Sequence, residues 1–172
     1  AQSQPSIKMS AGNPPEFIEH IVLVKVNPDI DPSKATAKLN NLSSLTSLDS
    51  VLHLTAGPLL RSRSSSLTFT HMLHSRYASK SDLDAYSAHP DHVAVVTNYV
   101  KPIIDDNMAV DWVASGAGAV KIPPGSAMRV TFWKLTEGSG EEERKEDLGE
   151  IGGIDRKGGV EGKRVDLGGS GR

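Results

Sequence analysis

Two stretches of the chain are rich in apolar side chains that fall on two faces with the period of two that is typical of β-strands. Residues 19–26 carry apolar groups on both faces, which predicts a strand that is buried on both sides. Residues 67–77 place His71 on an apolar face and His74 on the opposite face. Two shorter apolar runs, at residues 51–55 and 108–113, complete a set of four predicted strands.

Apolar residues at helical spacing predict three helices between these strands. The first runs from Pro32 to about residue 45, because Asp31 is a good N-cap and proline fits the first helical position. The second covers residues 81–88 and opens on Ser81 in the manner of a capping box. The third covers residues 90–105, and its predicted buried stripe is Val93, Val96, Val100 and Ile104.

The order of the elements predicts the fold class. The order β-α-β-β-α-β is typical of an α+β protein with a ferredoxin-like domain, in which helices cover one face of a four-stranded antiparallel sheet. The other face of the sheet is predicted to be bare. Because exposed apolar faces of that size usually mark an interface, we expect a homodimer that packs sheet against sheet.

Composition marks the boundaries of this domain. Residues 1–16 form a polar leader that contains three prolines and is expected to be disordered, and residues 17–114 hold the predicted ferredoxin-like domain. Residues 115–126 are rich in glycine, alanine and proline, as linkers are.

The chain after the linker begins like a second copy of the domain. Residues 129–135 resemble residues 20–26, at a spacing of about 109 residues, which is the size of a whole domain. The copy is not completed, because the chain becomes glycine-rich and charged. Residues 127–172 are therefore predicted to be an incomplete second repeat that is partly disordered.

Charge and cysteine content exclude several classes of protein. The 172 residues have a formal net charge of -2, which argues against electrostatic binding to nucleic acid or to an anionic membrane. No apolar run approaches the ~20 residues needed to span a bilayer. The chain has no cysteine, so it has neither a disulfide framework nor a cysteine zinc site. These properties fit an intracellular protein of the cytosol, a plastid or a peroxisome.

Candidate chemistry is concentrated where Tyr86, His89 and His92 fall within seven positions. Pro90 disfavours the helical conformation at His89, which is therefore predicted to end one helix and cap the next. His92 then falls in a first helical turn, where the dipole favours a neutral imidazole that can accept a proton. Tyr86 and His92 are a candidate acid and base for enolising a carbonyl compound, although purely structural roles fit the same residues. No metal site is expected, since no carboxylate cluster accompanies these histidines.

Three short motifs are informative in combination: residues 19–23 (Glu-His-Ile-Val-Leu), 69–71 (Phe-Thr-His) and 85–92 (Ala-Tyr-Ser-Ala-His-Pro-Asp-His). Together they resemble the stress-responsive dimeric α/β-barrel (Dabb) family of plants. The resemblance covers residues 17–114, with a partial second copy from residue 127. It implies a ferredoxin-like βαββαβ domain that pairs through its sheet into a dimeric α/β barrel.

The resemblance also implies roles for four residues. The family includes a polyketide cyclase that performs an intramolecular aldol condensation without a metal or an organic cofactor. Tyr86 and His92 match its catalytic tyrosine and histidine, and His20 and His71 match histidines that line its pocket. In such a mechanism His92 would remove a proton next to a carbonyl group, and Tyr86 would stabilise the oxyanion.

Two functions therefore stay open. The first is a stress-responsive, non-catalytic protein that binds a small hydrophobic ligand, and the second is a cofactor-free, cyclase-like enzyme acting on a ketonic substrate. On the first helix the chain departs from the cyclase, because Ala35, Thr36 and Leu39 stand where the cyclase has pocket aromatics. The departure predicts a cavity of different shape.

Overall fold

The computed structural model of the chain describes residues 15–115, residues 125–132 and the backbone of residues 163–165. Residues 1–14 of the predicted leader and most of the predicted linker and second repeat lie outside the described residues, whereas Glu16 at the end of the predicted leader already belongs to the first strand. The elements, in chain order, are β1 (Glu16–Val26), α1 (Pro32–Asn40), β2 (His53–Pro58), β3 (His71–Tyr77), α2 (Lys80–Ala88), α3 (Pro90–Val95), β4 (Ile104–Ser115) and β5 (Lys163–Val165).

The strands form one antiparallel sheet in the order β2-β3-β1-β4-β5. The first four strands have the ferredoxin-like order, so the predicted fold class is confirmed. A short fifth strand, β5, is added at the edge of this sheet, where it pairs with Ala109, Val110 and Asp111 of β4. The glycine-rich surroundings of β5 gave no periodic signal from which a strand could be predicted.

The helix starts follow from local chemistry. The Asp31 carboxylate caps α1 by accepting hydrogen bonds from the backbone N–H groups of Ser33 and Lys34. His89 caps α3 as predicted, since its backbone is extended and its Nδ1 accepts a hydrogen bond from the N–H of Asp91 at 3.2 Å. The predicted cap of α2 was wrong.

The cap of α2 lies two residues earlier than predicted. Ser79 has an extended backbone, and its Oγ accepts a hydrogen bond from the N–H of Asp82. The pair Ser79 and Asp82 has the same spacing as Ser81 and Asp84, so the sequence offers two equivalent capping signals.

Two other predicted boundaries also shift. The strand predicted from residue 67 begins at His71, because the Ser64 hydroxyl accepts a hydrogen bond from the N–H of Leu67 and holds the preceding segment in a turn. The third helix continues from α3 through a π-helical turn (Val96–Val100) and a 3₁₀ turn (Lys101–Ile103). It ends there because proline at position 102 disfavours further helix, so Asp105 lies on β4 and not on a helix.

The core lies between the helices and one face of the sheet. A 3₁₀ turn (Asn41–Ser47) extends α1 and contributes two leucines to it. Val93, predicted to be buried, is 49% exposed, and the buried residues of this region are Val100 and Ile103 in the turns that follow α3. The buried residues of this core are Ile18, Val24, Val26, Ala35, Leu39, Leu42, Leu45, Val51, Leu54, Leu73, Tyr77, Leu83, Tyr86, Val100 and Ile103.

The opposite face of the sheet is apolar, as predicted, but it is not bare. Phe17, Ile21 and Leu23 of β1 and Val110 of β4 lie on this face, and all four are buried within the single chain, with Ile21 0% exposed. The prediction of an uncovered face was therefore wrong. Of residues 129–135, which resemble the first strand, residues 129–132 have no regular secondary structure, and residues 133–135 lie outside the described residues.

Candidate functional site

A cavity of about 320 Å³ lies between the helices and the sheet. His20, His71, Tyr86 and His92, the four residues singled out from the sequence, all line it. Its remaining surface is largely aliphatic and includes Val22, Val24, Leu39, Leu42, Leu73, Val96 and Val100. A cavity with an apolar wall and few polar groups has the character of a small-molecule site.

Tyr86 and His92 lie next to each other at one end of the cavity. Their ring centroids are 4.4 Å apart, and Tyr86 is 2% exposed. Nδ1 of His92 lies 3.1 Å from the carbonyl oxygen of Ser87. Because a carbonyl oxygen only accepts, Nδ1 carries the hydrogen of the neutral ring and Nε2 keeps its lone pair.

Burial adjusts the acid–base properties of this pair. It lowers the pKa of His92 below the usual 6.5, although the hydrogen bond to Ser87 opposes the shift. Burial raises the pKa of Tyr86 to about 12, and a hydrogen bond with Tyr77 offsets only part of that increase. At neutral pH His92 is therefore a proton acceptor and Tyr86 is a hydrogen-bond donor.

His20 is held by a carboxylate that sequence analysis missed. Nδ1 of His20 donates a hydrogen bond to Oδ1 of Asp111, and the Lys80 ammonium lies 3.6 Å from Oδ2 of the same carboxylate. Burial tends to raise the pKa of Asp111, but the contacts with His20 and Lys80 hold it below the usual value. Asp111 is therefore ionised at neutral pH and orients the His20 ring. The sequence feature that could have identified Asp111 is its position as a charged residue within the apolar run of β4.

His71 lies at the other end of the cavity. In the β1–β3 register, His20 is opposite Ser75 and Val24 is opposite His71, so the two histidines are four positions apart along the sheet. At ~3.3 Å per residue, that separation is about 13 Å. Nδ1 of His71 lies 2.9 Å from the hydroxyl of Thr70, and burial lowers the pKa of His71. The cavity brings the four predicted residues together, but His71 does not join the Tyr86 and His92 pair.

A second polar cluster lies on the opposite face of the sheet, outside the cavity. Glu19 accepts hydrogen bonds from Nε2 of His74 at 2.5 Å and from Nε of Arg76 at 2.9 Å. Burial alone would raise the pKa of Glu19, but these two partners hold it below the usual value. The ring centroids of His53 and His74 are 5.2 Å apart. The half-buried His53 therefore adjoins the buried pair of Glu19 and His74.

The described residues contain no group of three or more histidine or acidic side chains placed to hold a metal ion. Within the same part of the chain, no helix has the length and apolar character that a bilayer crossing requires. The polar chemistry of the cavity is thus that of imidazole, phenol, carboxylate, amide and ammonium groups.

Comparison with known proteins identifies relatives in plants. The chain is 50% identical over 151 residues to a stress-response A/B barrel domain-containing protein of Arabidopsis thaliana, covering 87% of this chain and 57% of the relative. It is 46% identical over 133 residues to a second stress-response A/B barrel domain-containing protein of the same plant, covering 76% of this chain and 63% of the relative. The chain spans about three fifths of the length of the curated relatives it matches.

A solved structure from Arabidopsis thaliana supports the fold. The crystal structure of At3g17210 from Arabidopsis thaliana superposes with a TM-score of 0.50 at 19% identity, covering 64% of this chain and 99% of that one. A ferredoxin-like protein of unknown function from Thermobifida fusca, described as dimeric, gives a TM-score of 0.49 at 20% identity, covering 63% of this chain and 98% of that one. Residues 18–114 match the model of the stress responsive A/B barrel domain (Dabb). That match covers more than half of the sequence, and together with the two plant relatives it shows that the chain belongs to the Dabb family.

Proposed function

We propose that this protein binds a small, largely apolar ligand bearing a carbonyl group, and that it does so as part of a stress or defence response. The observation that carries the proposal is the cavity of about 320 Å³ in which aliphatic walls surround a phenol and three imidazoles. An apolar ligand gains from leaving water, and the few polar groups fix its orientation. Tyr86 is the expected donor to the carbonyl oxygen.

Binding is tested by isothermal titration calorimetry with a neutral alkyl methyl ketone as the ligand. The expected result is saturable binding that weakens in Tyr86→Phe by about fivefold to tenfold, because one buried hydrogen bond contributes ~1 kcal/mol. Tyr99→Phe, on the exposed side of the third helix, is the matched control, since Tyr99 is 41% exposed and does not line the cavity. Absence of saturable binding would count against the proposal.

A second function, cofactor-free aldol cyclisation, is favoured by the tautomer of His92. Its Nε2 has a free lone pair, and the Tyr86 ring is adjacent. His92 would take a proton from carbon next to a ketone, and the enolate oxygen would accept a hydrogen bond from Tyr86. The enolate carbon would then form a bond to a second carbonyl carbon of the same chain, and the proton would pass to the new alkoxide.

Catalysis is tested with a linear poly-β-ketone and detection of the cyclised product. Wild type should exceed the background rate, and His92→Gln and Tyr86→Phe should each reduce the rate by about 100-fold or more, the usual contribution of a positioned acid or base. Equal rates for wild type, both variants and buffer would remove the enzymatic proposal and leave ligand binding intact.

The sheet-face homodimer expected from the sequence is also part of the proposed function. Its support is the apolar surface of β1 and β4, on which Phe17, Ile21 and Leu23 lie. These residues are already buried within a single chain. They could pack against a partner chain only after the single chain rearranges to expose them. Sedimentation equilibrium over a hundredfold range of concentration tests this: a mass that stays at that of one chain would exclude the dimer.

A further inference from the structure

The cavity face of the sheet is organised in three rows that cross β3, β1 and β4. Strand register places Ser75, His20 and Asp111 in one row. Four residues further along each strand, the register places His71, Val24 and Asn107 in another row. The intervening row consists of Leu73, Val22 and Ala109, and all three line the cavity. Polar groups thus stand at both ends of the cavity, with an apolar strip between them.

The two polar ends differ in whether their charged side chains already have ion-pair partners. At the end with His20 the cations are already paired, since Asp111 contacts both His20 and Lys80, and Lys80 also lies 3.0 Å from Asp84. Lys80, Asp84 and Asp111 together give this end a net charge of -1. An anionic group would therefore find no unpaired cation there.

The opposite end offers donors without partners. Nδ2 of Asn107 is buried and makes no hydrogen bond with any residue that the structure describes, although a buried amide N–H without a partner is costly. Lys101 also lines the cavity and forms no ion pair among the described residues. His71 lies in the same row as Asn107. An amide donor and an ammonium group at one end of an apolar channel form a receptor for a carboxylate.

From this asymmetry we infer that the ligand is an oxo acid, whose carboxylate binds to Lys101 and Asn107 and whose carbonyl lies beside Tyr86 and His92. The inference rests on the proposed function, which supplies the carbonyl group of the ligand, and adds to that ligand a second polar group, the carboxylate. The two ends are about 13 Å apart along the sheet. Consecutive Cα atoms of an extended polypeptide are three bonds and about 3.8 Å apart. An extended ligand chain of roughly ten bonds between the carbonyl and the carboxylate therefore covers the same distance.

The test compares three probes by isothermal titration calorimetry: a straight-chain oxo acid of that length, its methyl ester, and the matched ketone that lacks the acid group. The oxo acid should bind the wild-type protein about tenfold or more tightly than either neutral probe, the gain expected for hydrogen bonds to a charged group. Lys101→Gln and Asn107→Asp should each abolish most of this preference while leaving the ketone affinity within about twofold.

Lys34→Gln is the matched control, because Lys34 is an exposed lysine of α1 that does not line the cavity. It should keep the full preference for the oxo acid. Ketone binding without any gain from the carboxylate would overturn this inference and leave the proposed function standing. A gain that survives both cavity variants would also overturn it, because the carboxylate would then bind elsewhere. Failure of all three probes would overturn the inference and the proposed function together.

Discussion

Nδ1 of His92 and the carbonyl oxygen of Ser87 lie 3.1 Å apart and join the end of α2 to the first turns of α3. This bond fixes both the tautomer and the orientation of the ring, and Nε2 is the atom left for a proton or a ligand. Pro90 lies between the two residues and begins α3, so the sharp junction between the helices determines where the ring points. The acid–base chemistry of the cavity therefore depends on a local turn of the backbone.

Acid should destabilise the protein well above the pH range in which carboxylates titrate. Burial lowers the pKa values of His92, His71 and His53 in the folded chain. As the pH falls below about 6.5, the unfolded chain takes up protons that the folded chain does not, so the free energy of unfolding decreases. Urea denaturation at a series of pH values measures the slope. His92→Gln should make the slope shallower, and a free energy of unfolding that is constant from pH 7 to about pH 5 would contradict this prediction.

Asp111→Asn should destabilise the fold and disturb the His20 ring. The substitution replaces the charged acceptor of His20 with a neutral amide and removes the anionic partner of Lys80, while it keeps the size of the side chain. We expect the free energy of unfolding to fall by about 1–3 kcal/mol, the range for a lost hydrogen bond to a charged group. Asp105→Asn, on the same strand, is the control, because Asp105 is exposed. Equal stability of the two variants would show that the contact with His20 contributes nothing.

Glu19→Gln should lower the free energy of unfolding by more than the position of Glu19 on the outer face of the sheet suggests. Glu19 is 6% exposed and accepts hydrogen bonds from both His74 and Arg76. Removing its charge takes the anionic acceptor away from the buried His74 and the half-buried Arg76, so a loss of about 3 kcal/mol is expected. Glu16→Gln, at the exposed start of β1, should change the free energy of unfolding by less than about 0.5 kcal/mol.

Glu19 also makes the free energy of unfolding depend on pH. The pKa of Glu19 is lower in the folded chain than its usual value of 4.5. Its contribution to stability is therefore complete above the pKa of the unfolded chain and is lost as the pH falls through the folded pKa. Glu19→Gln should remove that part of the acid transition, and an unchanged transition below about pH 4.5 would contradict the assignment.

The parts of the site that could be predicted are those encoded locally. Pro90 constrains His89, and the cap at His89 then carries His92 to within reach of Tyr86, six positions earlier in the chain. These relationships depend on short-range backbone preferences, which a single sequence contains. The periodicity of the strands likewise predicts that His71 and His74 point in opposite directions.

The parts that could not be predicted depend on strand register. His20 and Asp111 are 91 positions apart, and only the pairing of β1 with β4 brings them together. A shift of one residue in that pairing would turn Asp111 to the other face, and no local signal fixes the register. The same holds for the Glu19 and His74 pair, which joins β1 to β3. Burial of Ile21 depends on what covers the outer face, which the pattern of β1 does not specify.

The edge of the sheet gives the last prediction. β5 pairs with Ala109, Val110 and Asp111 of β4, so a chain that ends at Ser115 lacks this pairing and presents unpaired backbone groups of β4 at the edge. Exposed edge strands promote association between chains, and the adjoining face is apolar at Ile21 and Leu23. We expect the shortened chain to self-associate more strongly than the full chain in sedimentation velocity and to melt at a lower temperature. A chain lacking only residues 166–172 retains β5 and should behave like the full chain. If the chain ending at Ser115 stays monomeric and melts at the same temperature as the full chain, β5 contributes neither stability nor protection of the edge.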